Sequence, residues 1–412
     1  MYNKSIDSRR KINVGIIGIG YVGLPLTICL AKKFSVVAFD YNASRIKELN
    51  KGIDRNNEFR KKNILSKNII YTNFINDLYD CNYFIIAVPT PIDTSNNPNL
   101  SYLKKANYLV SRVLKKKDIV IYESTVYPGL TEDYCIPQLE KYSKLKANTD
   151  FFYGYSPERV NPGDKLRKIE NIVKVTSGSN FQTANKINFL YKSVINAGTF
   201  KASSIKVAES AKIIENIQRD INIALMNELS MIFKKMNIDH HEVIKAASTK
   251  WNFVKFVPGL VGGHCIGVDP YYLSYKAKKI GINPKIILAG RSINNNYFTH
   301  VSNQIEEQAG KKLLIMGLSF KEDCKDLRNT QVVKIYDKLK KKKYIIDVYD
   351  PIVDKKEAKK LYDIKLINKI KVNNYNIVLI AVAHKIFKKL KNKIYKSIKK
   401  NGKIIDLKKI LK

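Results

Sequence analysis

The sequence predicts an α/β protein with two Rossmann-like parallel-sheet domains, joined by a long central helix and a helical middle domain. Three observations predict it. Short apolar runs alternate with helical segments through the first 200 residues, which requires a parallel sheet covered on both faces. Ser204 to Ile238 then carries neither Gly nor Pro and keeps helical apolar spacing. Four further short apolar runs, each ending at a turn signal, close the chain.

Lys11 to Ile17 (KINVGII) reads as a buried parallel strand, followed at once by GIGYVG and an apolar helix through Ala31. Ser35 to Asp40, Asn82 to Val88 and Asp118 to Tyr122 are the next strands. Phe151 to Tyr155 and Ile172 to Thr176 close the first domain near residue 200. Gly198 marks the break before the long helix, whose Ile213, Ile217, Ile221 and Leu225 are expected on one stripe. Helical segments continue to about Ala309, interrupted by the loop PGLVGGHCIGVDP. KKLLIMGLSF, YIIDVYDP, NIVLIAVAH and GKIIDL then form a smaller α/β unit. The expected domains are 1–200 for a dinucleotide, 201–305 for the helical middle with its dimer contacts, and 306–412 for a second Rossmann-like unit.

Of 412 residues, 45% are apolar, 27% charged and only 31 (19 + 12) are Gly or Pro, which excludes disordered, collagenous and low-complexity classes. Cys29, Cys81, Cys135, Cys265 and Cys324 are scattered and never form a CxxC, so neither a disulfide framework nor a zinc site is encoded, and no metal is expected. The start MYNKSIDSRRKINV lacks a signal-peptide core and no run of about 18 apolar residues exists, so a cytoplasmic protein without membrane insertion is expected. Lys+Arg 74 against Asp+Glu 36 leaves +38. Such charge suits a phosphate-rich partner, but the lysines are spread along the chain without arginine–aromatic interleaving or a recognition helix. The distribution points to a lysine-heavy background rather than a nucleic-acid partner. Attraction of anionic substrates, with binding that depends on salt, follows either way.

Gly18-Ile19-Gly20-Tyr21-Val22-Gly23 is a GxGxxG that follows a predicted strand, opens a helix and has Asp40 at the end of the next strand. In that setting the glycines allow a tight turn and close backbone approach, and the helix N-terminus takes a pyrophosphate. The acid receives ribose hydroxyls and repels a 2′-phosphate, favouring NAD over NADP; Arg45 works against that preference. An ordinary glycine-rich turn beside a surface Asp is the plain alternative.

The loop Pro258 to Pro270 is the second dense segment, with three glycines before Cys265, and His264 and Asp269 beside the thiol. A thiol is nucleophilic only as thiolate, which needs cationic or dipolar neighbours and access. A small buried hydrophobe is the alternative, and it suffices for Cys29, Cys81 and Cys135. Cys324, in a charged stretch, is expected partly exposed. Lys212 and Asn216, four apart, share one face of the long helix with Glu209, either at a site or as a solvated stripe.

Nine segments, in order along nearly the whole chain, resemble the nucleotide-sugar 6-dehydrogenase family, the UDP-glucose and UDP-N-acetylhexosamine dehydrogenases. They are GIGYVGLPL, AVPTPI, YESTVYPG, GYSPERVNPGD, AESAKIIEN, NEL, PGLVGGHCIGVDPYYL, GLSFKEDCKDLRNT and a terminal IIDLKK. GGHCIGVDPYYL with SPERVNPGD is most similar to the UDP-N-acetylglucosamine / UDP-N-acetylgalactosamine 6-dehydrogenase branch. The UDP-glucose branch differs around its cysteine and carries a second Glu where this chain has Pro162.

The resemblance implies four-electron oxidation of a UDP-sugar C6 alcohol to the uronic acid, with two NAD per turnover, in surface-polysaccharide biosynthesis. UDP-glucose and UDP-N-acetylmannosamine are the alternative sugars. It further implies that Gly18, Gly20, Tyr21, Val22, Gly23, Asp40 and Arg45 hold NAD, with Thr90, Thr125 and Arg328 near it. Cys265 is then the covalent nucleophile, with Lys212, Asn216, Asp269, Thr125 and Glu158 in the chemistry. Glu158, Arg159, Lys212, Asn216, Gly259, Gly262, Gly263, Phe320 and Lys321 contact the UDP-sugar, and Lys408 stands where some relatives carry Arg. The helical middle suggests a homodimer or higher oligomer. Two rivals remain. A single-step 3-hydroxyacid dehydrogenase needs no cysteine and no second α/β domain, and a basic protein with a relic Rossmann domain would bind RNA without turnover.

Overall fold

The computed structural model describes residues 11–55, 58–160, 167–263 and 265–411. The chain opens with β1 (Asn13–Ile17), α1 (Gly23–Leu30), β2 (Ser35–Phe39), α2 (Ala43–Asn50), the single turn α3 (Lys61–Ile64), β3 (Ile69–Thr72) and β4 (Tyr83–Ile86). It continues with α4 (Ser101–Ser111), β5 (Ile119–Tyr122), α5 (Ile136–Ser143), β6 (Phe152–Tyr155), β7 (Lys174–Gly178), α6 (Phe181–Lys192) and β8 (Thr199–Lys201). The strands form one eight-stranded sheet in the order β3-β2-β1-β4-β5-β6-β7-β8. Val14 lies opposite both Val36 and Tyr83, so β1 is the strand from which the chain first winds one way and then the other. Ligands of open α/β sheets bind outside the carboxyl ends of the strands at such a switch point. The sheet is not wholly parallel: β7 runs antiparallel to β6. Helices α1 and α6 cover it, with Leu26, Leu30, Ile187 and Leu190 in one core cluster with Val14, Ile16, Ile85 and Ile121.

The middle of the chain is helical: α7 (Ile205–Lys235), α8 (His240–Ala247), α9 (Asp269–Lys279) and α10 (Lys285–Glu306). With no Gly or Pro to stop it, α7 runs 31 residues, about 45 Å at 1.5 Å per residue. The expected apolar stripe is corrected. Ile213 and Ile217 are buried, but Leu225 is 47% exposed. Steps of four residues over-rotate by about 40° each, so three of them leave the stripe by about a third of a turn. The residues that stay inside are as often polar as apolar, with Lys212, Asn216, Asp220, Asn227 and Ser230 buried beside Ile213, Ile217, Ala224 and Met226.

The last part adds β9 (Lys312–Met316), α11 (Val332–Lys341), β10 (Ile345–Tyr349), α12 (Lys355–Tyr362), β11 (Tyr375–Ile380), α13 (Ile386–Lys389), α14 (Lys391–Ser397) and β12 (Ile398–Asp406). They make a four-stranded parallel sheet, β10-β9-β11-β12. The period-two alternation of β9 divides two cores, Leu313 and Ile315 on one face and Leu314 and Met316 on the other. Cys324, expected partly exposed, is buried at 5%. The chain forms two compact units. One runs to Ile214 and includes Tyr271–Lys276, and the other holds Glu215–Pro270 and everything from Ala277 onward. Among the described residues no helix is long and apolar enough to cross a membrane.

Candidate active site

In the first unit the chain leaves β1 into the glycine turn, where the Gly18 amide donates to Phe39 O at 2.9 Å. Gly18 has φ +96°, and a Cβ there would stand 2.9 Å from Ala87 O. One on Gly23 would stand 1.9 Å from Gly18 O. The fold itself therefore demands these two glycines. Gly20 is different: a Cβ there would meet nothing within 4 Å. The turn is open at the place where a pyrophosphate must come close to backbone, which is the fit a dinucleotide requires. Asp40, at the end of β2, accepts from the Ile19 amide at 2.8 Å and from the Asn42 amide at 2.9 Å, so its carboxylate is fixed beside the turn. Arg45, on α2 behind the Asn42 cap, is buried. Its guanidinium donates to Ile19 O at 3.2 Å and to Asp54 at 3.1 Å, bracing the same turn.

Thr90, Thr125 and Glu158 follow the carboxyl ends of β4, β5 and β6. Ser124 Oγ donates to Val88 O at 2.7 Å and ties the Thr125 turn to the loop that carries Thr90. Glu158 is 8% exposed. Its Oε1 accepts from the amides of Arg159 and Val160, whereas its buried Oε2 accepts from no described residue. A dry carboxylate oxygen is costly to leave unpaired, and a bound water or substrate hydroxyl would satisfy it. Arg159 donates to Val173 O. Pro162 lies outside the described residues.

On α7, Lys212 is 8% exposed, so it is no part of a solvated stripe. Glu209, one turn earlier and fully buried, accepts from the amides of Gly129 at 2.6 Å and Thr131 at 3.0 Å. Burial pushes its carboxyl up to about 7. It anchors the loop that follows Thr125.

In the second unit Cys265 is exposed while the other four cysteines are buried. Its carbonyl accepts from the Asp269 amide at 2.9 Å at the start of α9. Asp269 is 2% exposed and accepts from Asn216 Nδ2 at 2.5 Å, so carboxylate and amide meet one turn along the chain from Cys265. Lys321 lies within electrostatic reach. Burial pushes its ammonium down, and Cys324, Glu322 and Cys265 pull it back up. A cation near Cys265 favours the thiolate. His264 lies outside the described residues.

The glycine loop before Cys265 is clamped from α7. Asn227 accepts from the Gly259 amide at 2.8 Å and donates to Gly259 O at 3.1 Å. Asn294 of α10 accepts from Asn227 and donates to Asp220, which also receives Arg291. Phe320 packs over Gly263, 2.6 Å from where a Cβ would be, and Gly262 would meet Asn329 O at 2.5 Å. Leu260, Phe320, Lys321, Glu322, Gln331 and Lys408 line a cavity. Lys408 pairs with Glu322 at 3.3 Å, and together with Lys321 it outweighs burial and holds the Glu322 carboxyl below the usual range. Arg328 is held by Asp326 through both carboxylate oxygens.

Thus the first unit gathers Gly18, Gly20, Tyr21, Val22, Gly23, Asp40, Arg45, Thr90, Thr125, Glu158, Arg159 and Lys212. The second gathers Asn216, Gly259, Gly262, Gly263, Cys265, Asp269, Phe320, Lys321 and Arg328. Sequence reasoning missed the clamp of Asn227 on Gly259. Its only signal was the segment NEL among the nine matching ones.

A glycine turn with open space where a Cβ on Gly20 would stand, set in a doubly wound sheet with an acid at the end of the second strand, is the turn of a dinucleotide-binding protein. Comparison with known proteins gives the family. Residues 12–195 match the NAD-binding domain of the UDP-glucose/GDP-mannose dehydrogenase family, 206–296 its central domain and 314–412 its UDP-binding domain. The chain belongs to that family and is a nucleotide-sugar dehydrogenase that uses NAD. UDP-N-acetyl-D-glucosamine 6-dehydrogenase of Pseudomonas aeruginosa is 50% identical over 98% of each chain. Protein CapL of Staphylococcus aureus is 49% identical over 97% of this chain and 96% of its own. Among solved structures, UDP-D-ManNAc dehydrogenase from Pyrococcus horikoshii superposes with a TM-score of 0.87 at 30% identity, covering 97% of this chain and 96% of that one.

Proposed function

We propose that the chain oxidises C6 of a UDP-N-acetylhexosamine, UDP-N-acetyl-D-glucosamine before its galacto epimer, to the uronic acid through a covalent Cys265 intermediate. The 50% identity to a UDP-N-acetyl-D-glucosamine 6-dehydrogenase supports the sugar. The observation that carries the chemistry is Cys265 itself, the one exposed thiol, beside the Asp269–Asn216 pair and in the field of Lys321.

The reaction takes R–CH2OH and H2O to R–COO−, releasing two hydrides and three protons. NAD, when bound at the Gly18–Gly23 turn, supplies the acceptor for each hydride. Lys212, or a water held by Asp269, takes the hydroxyl proton in the first oxidation. The aldehyde has no second hydride to give until a nucleophile adds, and the Cys265 thiolate adds to its carbonyl carbon to make a thiohemiacetal. Loss of the second hydride leaves a thioester. A water placed by Thr125, Glu158 and Asp269 adds to that carbonyl, the C–S bond breaks, and thiolate and acid separate. Lys212 and Asn216 donate to the oxyanions that develop, each worth about 3 kcal/mol. We read the protein as a homodimer or higher oligomer in the cytoplasm, and five cysteines outside any disulfide support the reducing compartment.

NADH release against a panel of UDP-sugars tests the substrate, with highest kcat/KM expected for UDP-N-acetyl-D-glucosamine. Preference for UDP-glucose would overturn that choice. Cys265→Ser should stay folded and form no acid; normal acid formation would end the covalent scheme.

A further inference from the structure

Beneath Thr125 and Glu158 the first unit buries an ion pair and a tyrosine that the scheme above leaves without a task. Glu123, at the end of β5, has a side chain 0% exposed, and that of Lys174, on β7, is 3% exposed. They meet at 2.6 Å. Tyr191 of α6 donates its hydroxyl to the other Glu123 oxygen at 2.5 Å, and its ring lies under the Lys174 ammonium at 5.1 Å. Lys174 also donates to Pro157 O at 3.0 Å. A buried ion pair stabilises a fold no better than apolar side chains of the same volume, so stability alone gives no reason for these charges.

Their placement does. Pro157 is the residue before Glu158, and Glu123 stands two residues before Thr125. Ser156 Oγ donates to Val175 O at 2.7 Å, next to Lys174, so the same loop is held at two successive residues. The two acids also feel each other. Burial pushes the Glu123 carboxyl up, Lys174 opposes this, and Glu158 adds to the rise. With Lys174 in place, Glu158 faces a neutralised neighbour instead of a bare carboxylate. We propose that Glu123, Lys174 and Tyr191 are positioning residues, which lock the Glu158 loop against the Thr125 turn so that both groups address one water in thioester hydrolysis. This rests on the reading of Glu158 and Thr125 given above.

The step concerned is addition of water to the Cys265 thioester, with cleavage of the C–S bond and release of carboxylate and thiol. Misplacing a reacting group by about 1 Å costs on the order of 100-fold in rate. The Glu123→Gln/Lys174→Met double variant removes both charges without stranding either. It should fold, bind NAD and UDP-N-acetyl-D-glucosamine with near-unchanged KM, and lose about 10- to 100-fold in kcat. An acyl adduct should accumulate on Cys265 in the intact-protein mass after a burst of NADH. Tyr191→Phe, which removes one hydroxyl, should show the same pattern more weakly and serves if the double variant fails to fold. Lys174→Arg, which keeps the cation, should recover most of the turnover. Unchanged kcat, or a raised KM with no adduct, would overturn the proposal. Glu158→Gln separates the two readings. An adduct there but none in the trio variants removes this proposal alone, whereas full turnover by Glu158→Gln removes the role of Glu158 and the proposal with it.

Discussion

The two sheets repeat one device and use it differently. After β1 comes Gly18, and after β9 comes Gly317, both with positive φ, +96° and +88°. The second strand of each ends in an acid whose Oδ2 accepts an amide from the turn, Asp40 from Ile19 at 2.8 Å and Asp350 from Leu318 at 2.7 Å. There the likeness stops. Where the first turn has Gly20 and Gly23, the second has Ser319 and Glu322. Asp40 is half-buried, with one further amide. Asp350 is 2% exposed and receives Ser319, Ile352, Val353 and the ring of His384 as well. A carboxylate so engaged has no lone pair left for a ribose. The strand–turn–strand unit thus makes a dinucleotide turn only where its acid stays open and its glycines stay bare.

The comparison can be broken at several points. Gly23→Ala carries the largest expected effect, because the added Cβ meets backbone at 1.9 Å. A loss of about 3 kcal/mol in urea unfolding and of all NAD-linked turnover is expected. Asp350→Ala should cost about 3 kcal/mol, since buried amides lose their acceptor, with little change in the NAD KM. Asp40→Ala should do the reverse, raising the NAD KM about 10-fold or more for about 1 kcal/mol of stability. Equal stability losses would mean that the two acids do the same work. Gly20→Ala should leave the melting temperature unchanged and raise the NAD KM, because the open side of the turn is where the pyrophosphate approaches.

The smallest effect is in pH. Burial pushes the Asp350 carboxyl up, but the His384 hydrogen bond and the backbone amides outweigh it and hold it below the usual carboxylate range. A depressed folded value means stability present above the unfolded value and lost as pH falls below about 4. Asp350→Asn should flatten that part of the urea midpoint–pH curve; an identical slope would remove Asp350 from acid unfolding.

What the sequence disclosed was what lies close along the chain. The glycine turn and Asp40 are a strand, a turn and the next strand end, and GGHC marked a thiol that proved exposed. β3 went unread, and β8 escaped because three residues carry too little pattern. The antiparallel β7 escaped because direction is not written in apolar periodicity. Cys324 sits in a charged stretch and is nevertheless buried, with only Glu322 and Lys325 of its near charged neighbours left exposed. Lys174 and Tyr191 reach Glu123 across 51 and 68 residues, and Asn227 reaches Gly259 across 32. Nothing local announces such partners; only the folded sheet brings them together.

The most direct test of the covalent route is a count. With limiting UDP-N-acetyl-D-glucosamine and excess NAD, two NADH should appear for each sugar consumed, with the uronic acid as the only product. One NADH per sugar, with free aldehyde accumulating, would contradict it.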